Sequence, residues 1–292
     1  MKLTFALASI LVSMSAWSCP VSMEEYAEEE VEASQGVSEK MLSRDGISFF
    51  EFFDVASRIQ KYYGPILKTA GKKLTVQTFW LSDRVNASSG QKDNSYFVML
   101  HGGLARRKHM TKDAFTLVAC HEMGHHLGGY PMYDKDRLRW ASSEGQSDYY
   151  AALKCFKNIY QGELKKITPE LREIPNALKK QCRLQHRSEG NYLLCLRALK
   201  AGRDLGDTFF LYHNKKEPSL IANYLDDPSV VSETQTGYSS PVCRSETFRN
   251  AALCSVSSIT AISKTKENVG VCHGKNGHRV GTRPECWFKP NL

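Results

Sequence analysis

The stretch His121-Glu122-Met123-Gly124-His125 decides how we interpret this chain. Residues four positions apart in an α-helix differ by only about 40° around the axis, so both imidazoles project from one face. Two neutral imidazoles at that separation can bind one zinc ion. Glu122 need not be a ligand, and it can instead act as the base that takes a proton from a water molecule at the metal.

The residues around this motif predict one long helix. Thr111 is a suitable N-cap, Asp113 lies in the first turn, and an apolar run follows at 114–119. Gly128 ends the helical pattern and Pro131 prevents its continuation. We therefore expect a helix over roughly 111–127 that carries both histidines near its C-terminal end.

A second predicted helix, over roughly 141–160, completes the ligand set. A catalytic zinc ion needs a third protein ligand and an open fourth position. Glu144 and Asp148 lie one turn apart on this helix. Glu144 can supply the third ligand beside His121 and His125, and Asp148 can accept the remaining N–H of a ligating histidine. His126 points about 100° away from His125 and is interpreted as a surface or orienting group, not a ligand.

The pattern HExxH followed by ExxxD resembles the gluzincin metallopeptidases, and Glu144 follows His125 by 19 positions. The flanking residues are similar to HtpX-like and CAAX-protease-like peptidases, with a Val85-Asn86-Ala87 element, a strand at 95–101, a Gly-rich turn and the zinc helix. The stretch 238–244 is similar to a downstream His-Pro-Ser-Pro-x-x-Arg element but has tyrosine where histidine is usual. The resemblance covers about residues 45–260 with wide gaps.

This resemblance implies an α+β, mainly helical zincin-like fold with a small β-sheet whose edge strand lines the active-site cleft. Gluzincin edge strands pair with an extended substrate through backbone hydrogen bonds. Ser95–His101 is the candidate edge strand here. The residues expected to contact substrate are Asn86, Ala87, Tyr96 and Val98.

Amide hydrolysis also needs a donor for the developing oxyanion. A tyrosine hydroxyl or an arginine guanidinium can serve, so Tyr238 and Arg244 are the candidates for this catalytic role. A structural salt bridge is an equally good interpretation of Arg244.

Three functions are compatible with these residues. The favoured one is a zinc endopeptidase, with one catalytic Zn²⁺, that cleaves extended or unfolded protein. A catalytically weak or non-enzymatic envelope protein could use the same fold to bind or chaperone such segments. A zinc hydrolase with another substrate is the third. Glu122 favours an enzyme, since metal storage does not need that carboxylate.

Composition and the N-terminus predict where the protein acts. Residues 1–18 read as a signal peptide, with Lys2 before an apolar run, and cleavage before Cys19 is favoured over acylation of that cysteine. An acidic segment at 19–44, a peptidase domain at 45–262 and a basic, cysteine-containing tail at 263–292 follow. No later segment is apolar for long enough to span a membrane. A secreted or periplasmic location follows.

The nine cysteines should mostly pair in an oxidising compartment, although an odd number leaves one over. Cys120, in an apolar helix, is the candidate free thiol. Cys182 with Cys195, and Cys272 with Cys286, are plausible local pairs, but spacing does not determine connectivity. The net charge of +8, or +7 without Lys2, favours solubility. Without basic runs interleaved with aromatics, no nucleic-acid partner is expected. The oligomeric state is left open.

Hydrophobic periodicity sets the remaining expectations. Segments in which apolar residues recur at helical spacing are predicted to be helices. Segments in which β-branched and aromatic residues cluster are predicted to be strands. These patterns predict helices at 45–63, 170–183, 190–200 and 243–262, strands at 74–81 and 95–101, a polar loop at 85–94, and an end to the first helix at Gly64-Pro65.

Overall fold

The structure is a computed structural model that describes residues 45–163, 166–214 and 225–291. The predicted signal peptide, the acidic segment 19–44 and Cys19 lie outside the described residues. The described chain is α+β, as expected, with several helices and one three-stranded sheet. No helix in these ranges is both long and apolar enough to cross a bilayer.

The elements follow one another in a simple order along the chain. The sheet strands all lie in the first third of the described residues, and the later part is helical. The elements are α1 (Phe49–Thr69), β1 (Lys73–Phe79), β2 (Ala87–Lys92), β3 (Ser95–His101), α2 (Gly102–Ala105), α3 (Lys112–Leu127), α4 (Glu144–Tyr150), a π-helical turn (Ala151–Cys155), α5 (Phe156–Ile159), α6 (Pro169–Arg172), α7 (Asn176–Gln185), α8 (Glu189–Asn214) and α9 (Pro241–Leu253).

Helix α1 runs further than predicted, because Pro65 does not end it. The helix begins with a capping box in which Ser48 and Glu51 satisfy each other's backbone N–H groups. Pro65 removes the hydrogen bond to the carbonyl of Lys61, but Lys61 lies on the exposed side, where water can replace that bond. Leu67, on the opposite side, is buried, so the apolar face of the helix extends into its last turn.

The sheet has the order β1-β3-β2, with β1 parallel and β2 antiparallel to β3. Ser95–His101 is therefore the central strand, and its prediction as the edge strand is wrong. The reason is that the segment predicted as a polar loop forms β2, which turns back into β3 through Asp93 with a positive φ of 52°. Its sequence, Ala-Ser-Ser-Gly-Gln-Lys, lacks the β-branched residues that signal a strand.

The two edges of the sheet differ. On β1, the side chain of Gln60 from α1 accepts from the Val76 N–H at 3.2 Å and donates to the Leu74 carbonyl at 3.3 Å. Gln60 thus takes the place of a neighbouring strand at this point. Within the described residues the other edge strand is β2, which contacts α3 through Gln91 and His126, whose side chains lie 3.2 Å apart.

Four disulfides join the helices and the C-terminal tail, as is typical of proteins outside the cytoplasm. Cys182–Cys195 between α7 and α8 was expected and is confirmed. The interpretation of Cys120 as a free thiol is wrong, because Cys120 pairs with Cys155. The local pair Cys272–Cys286 is also wrong. Both of these cysteines bond instead to the two ends of α9, in Cys254–Cys272 and Cys243–Cys286. The short spacing between Cys272 and Cys286 suggested a local pair, but each of them bonds to a cysteine at one end of α9.

The later helices depart from their predicted bounds. The segment predicted at 170–183 forms two helices, with α7 beginning after Pro175. Helix α8 extends well beyond 200, and α9 ends at Leu253 instead of 262.

The C-terminal tail packs directly against helix α4. The Tyr149 hydroxyl of α4 donates to the Gly281 carbonyl, and the Trp287 indole donates to Thr247 of α9 at 3.0 Å. A Cβ atom at Gly145 would lie 2.3 Å from the Trp287 ring. The absence of a side chain at this position is what lets the fully buried indole rest on α4.

We expect Gly145→Ala to destabilise the protein by about 1–3 kcal/mol, because the rigid indole ring must shift to admit a methyl group. Gly190→Ala is the matched control, since no atom lies within 4 Å of a Cβ at that helical position. Alanine there should be neutral or stabilising by about 0.5–1 kcal/mol. Thermal unfolding of the two variants beside wild type measures the difference. Equal melting temperatures for both variants would contradict the close contact with Trp287.

Candidate metal centre

Helices α3 and α4 approach each other closely enough to share one site. Thr111 caps α3, as predicted, by accepting from the Ala114 N–H at 3.2 Å. Further along α3, a Cβ atom at Gly124 would lie 2.7 Å from the Cα atom of Ser147 on α4. Only glycine permits this contact, which lies one residue before His125. The two predicted ligand helices therefore meet at the HExxH motif.

Three side chains converge where the helices meet. The Nε2 atoms of His121 and His125 lie 3.1 Å apart. Oε2 of Glu144 lies 3.1 Å from Nε2 of His121 and 3.7 Å from Nε2 of His125. All three residues are at most 4% exposed. Their ligand atoms lie within 4.8 Å of one another, so the group could hold a metal ion.

The donor atoms also fit a metal chemically. Both Nδ1 atoms are engaged elsewhere, on Asp148 and on the Ser142 carbonyl, which leaves the Nε2 atoms to act as ligands. Among the described residues, the buried Oε2 atom of Glu144 has no hydrogen-bond partner. A buried carboxylate oxygen that faces two ring nitrogens without a hydrogen bond is the arrangement expected of a ligand set.

Asp148 orients His121, as the spacing predicted. Its Oδ1 atom lies 2.7 Å from Nδ1 of His121. Arg244 of α9 donates two hydrogen bonds to the same carboxylate, from Nε to Oδ2 at 2.7 Å and from Nη2 to Oδ1 at 2.8 Å. Burial would raise the pKa of Asp148, but the charges of Arg244 and His121 outweigh it and lower the pKa to about 2. Asp148 is therefore ionised at neutral pH and can hold the histidine in one orientation.

The two predicted oxyanion donors lie close together, but they differ in exposure. The Arg244 guanidinium is buried in its salt bridge with Asp148, which is the structural alternative raised from sequence. Tyr238 is 38% exposed, and its ring centroid lies 5.1 Å from the guanidinium carbon. A catalytic role for either residue stays a prediction.

His125 and His121 have opposite electrostatic surroundings. Burial lowers the pKa of His125 to about 4, so its ring is neutral. Burial acts in the same direction on His121, but the carboxylates of Asp148 and Glu144 outweigh it and raise the pKa to about 10. Because metal ligands must be deprotonated, His121 would have to lose this proton in order to hold a metal ion.

Glu122 lies between the two histidines in sequence and is 2% exposed. It belongs to the same helix, directly after His121. Its assignment as catalytic base stays a prediction.

Tyr133 contacts Glu144, the candidate third ligand, and sequence analysis did not identify it. Its hydroxyl donates to Oε1 of Glu144 at 2.7 Å. The residue lies in the connection between α3 and α4, where no helical or strand periodicity applies. No motif spacing could have singled it out.

The interpretation of His126 as a surface group is wrong, because its ring is stacked between two aromatic side chains. The Tyr96 ring lies 4.5 Å away and the Trp140 ring 5.0 Å away, both nearly parallel to it. Its Nε2 atom also lies 3.0 Å from the Phe97 carbonyl of β3. His126 is 1% exposed, and its contacts attach the helix that carries His121 and His125 to the sheet.

The residues predicted to contact substrate lie on the two antiparallel strands. Asn86 and Ala87 are buried at the start of β2, and Val98 is buried in the central strand. Tyr96 and Val98 pair through their backbones with both neighbouring strands, so neither offers a free strand edge. Tyr96 instead contributes its ring to the stack on His126.

Comparison with family models, curated proteins and solved structures found no match to this chain. The resemblance to gluzincins therefore depends on the motifs, and on the buried His121-His125-Glu144 group that could bind a metal.

Proposed function

We propose that this protein is a zinc-dependent endopeptidase of the gluzincin type that acts outside the cytoplasm on extended or unfolded protein segments. The observation that carries the proposal is the convergence of two imidazole nitrogens and one carboxylate oxygen at the meeting point of two helices. Glu122, directly after His121 in the sequence, supplies the general base that a zinc hydrolase needs.

Zinc is the metal that this donor set favours. Imidazole nitrogens combined with one carboxylate oxygen are typical of catalytic zinc sites, whereas calcium and magnesium prefer oxygen ligands. When bound, zinc would supply Lewis-acid activation of a water molecule and of the substrate carbonyl. His121, His125 and Glu144 would hold the ion.

A catalytic role is favoured over a structural one by the number of ligands. Structural zinc sites usually have four protein ligands, but the group found in the described residues has three. Glu122 would accept the proton of the attacking water and pass it to the leaving amine. Asp148, held by Arg244, would keep His121 in its ligating tautomer.

The sheet suggests how a substrate is recognised. Among the described residues, β2 is the edge strand beside α3, and it is exposed only toward its end at Gln91 and Lys92. This end, in place of Ser95–His101, would be where an extended segment pairs. Backbone pairing tolerates many sequences, which supports flexible or unfolded protein as the substrate class.

The test is cleavage of casein by the purified protein, before and after removal of metal with 1,10-phenanthroline and after return of zinc. We expect cleavage to disappear with the chelator and to recover with zinc. Cleavage that resists the chelator would contradict a metallopeptidase. A zinc-loaded protein that cleaves no protein or peptide substrate would exclude an endopeptidase and favour the binding role.

A further inference from the structure

Each metal-binding side chain is held by its own hydrogen-bond partner. The imidazole of His121 contacts Asp148 and that of His125 contacts the Ser142 carbonyl, each through Nδ1. Glu144 is held in the same manner, because its Oε1 atom accepts from the Tyr133 hydroxyl at 2.7 Å. Nothing in the sequence pattern assigns a role to this tyrosine.

The hydrogen bond from Tyr133 gives the two carboxylate oxygens of Glu144 different roles. Oε1 is occupied by Tyr133, whereas Oε2 faces the two Nε2 atoms at 3.1 and 3.7 Å. A carboxylate can bind a metal through one oxygen or both. A donor fixed on Oε1 limits rotation of the carboxylate and favours ligation through Oε2 alone.

The backbone around Tyr133 is itself anchored to the site. Its N–H donates to the Ala141 carbonyl at 2.9 Å, and Met132 forms a β-bridge with Ser142. Ser142 is also the residue whose carbonyl holds His125. The loop that carries Tyr133 is thus tied to the same short segment that leads into α4 and Glu144.

We propose that Tyr133 is a positioning residue of the metal centre, which holds Glu144 as a single-oxygen ligand and so keeps a coordination position open for water or substrate. The proposal depends on the metal-binding role of Glu144 stated above.

The test compares Tyr133→Phe with Tyr130→Phe. The first variant keeps the ring and removes only the hydroxyl that contacts Glu144. The second removes a hydroxyl from the same loop, where Tyr130 packs against the cluster formed by Cys243, Cys286, Trp287 and Phe288. Zinc affinity is measured by competition with a chromophoric chelator, and coordination is measured from the visible spectrum of each protein loaded with Co²⁺.

We expect Tyr133→Phe to weaken zinc binding by about 10–100-fold, the range found when partners of metal ligands are removed. Its Co²⁺ spectrum should lose intensity, because a second carboxylate oxygen raises the coordination number. Tyr130→Phe should change affinity by no more than about twofold and leave the spectrum unaltered.

Three outcomes would overturn the proposal. In the first, Tyr133→Phe retains wild-type affinity and spectrum. In the second, both variants lose affinity equally, which would assign the effect to loop packing. In the third, wild type binds no zinc, and only that result would also overturn the proposed function. Wild type that binds zinc and cleaves casein, beside an unaffected Tyr133→Phe, defeats the role of Tyr133 alone.

Discussion

Glu144→Ala is expected to leave the protein without stoichiometric zinc. Removal of this side chain deletes one of the three converging ligand atoms and leaves two imidazoles to hold the ion. Because the loss of a mere orienting partner costs about 10–100-fold in metal affinity, we expect the loss of a ligand to exceed about 100-fold. Elemental analysis after dialysis, together with chelator competition, measures the change.

The control for this variant is Glu173→Ala, which removes the same side chain from an exposed position. It should bind zinc as wild type does. Far-UV circular dichroism of both variants shows whether each is folded. A folded Glu144→Ala protein that still carries one tightly bound zinc ion would remove Glu144 from the ligand set, and with it the gluzincin assignment.

Glu122→Gln is expected to abolish most peptide hydrolysis while the zinc content stays at the wild-type level. Glutamine has nearly the same shape as glutamate but cannot accept the proton. General-base catalysis contributes about 10²–10⁴-fold to rate, so kcat should fall by that order. The measurement is casein or peptide cleavage by zinc-loaded variant and wild type at equal metal content.

The two variants together separate the roles of the two glutamates. A variant that loses metal and activity has lost a ligand, whereas one that loses activity alone has lost a catalytic group. Activity of Glu122→Gln close to that of wild type would exclude Glu122 as the base. Loss of zinc from this variant would show instead that Glu122 supports the ligand set.

The sequence predicted the parts of the site that depend on helical geometry. His121 and His125 share a face because they are four residues apart, and Glu144 and Asp148 do so for the same reason. These relations are local, so no knowledge of the remaining fold was needed. The convergence of the two helices on one point followed from the chemistry of zinc, which requires a third ligand.

The parts that the sequence did not predict depend on contacts between distant elements. Tyr133 reaches Glu144 from a loop without periodicity, and Arg244 reaches Asp148 from 96 positions further along. The predicted pair Cys272–Cys286 and the prediction of a free thiol at Cys120 were wrong for the same reason. Strand β2 was not predicted because its residues have low β-propensity. It is a strand because its backbone pairs with β3.

Because Cys120 and Cys155 form a disulfide, the stability of the candidate site depends on whether the surroundings are oxidising or reducing. Cys120 immediately precedes His121, and Cys155 lies in the turn after the helix that carries Glu144, so the bond joins both halves of the candidate site across 35 positions. Such a crosslink typically contributes about 2–4 kcal/mol. Where glutathione keeps thiols reduced, the two halves would lack this covalent link and would be joined by packing and by the hydrogen bonds of His121 to Asp148 and of His125 to the Ser142 carbonyl.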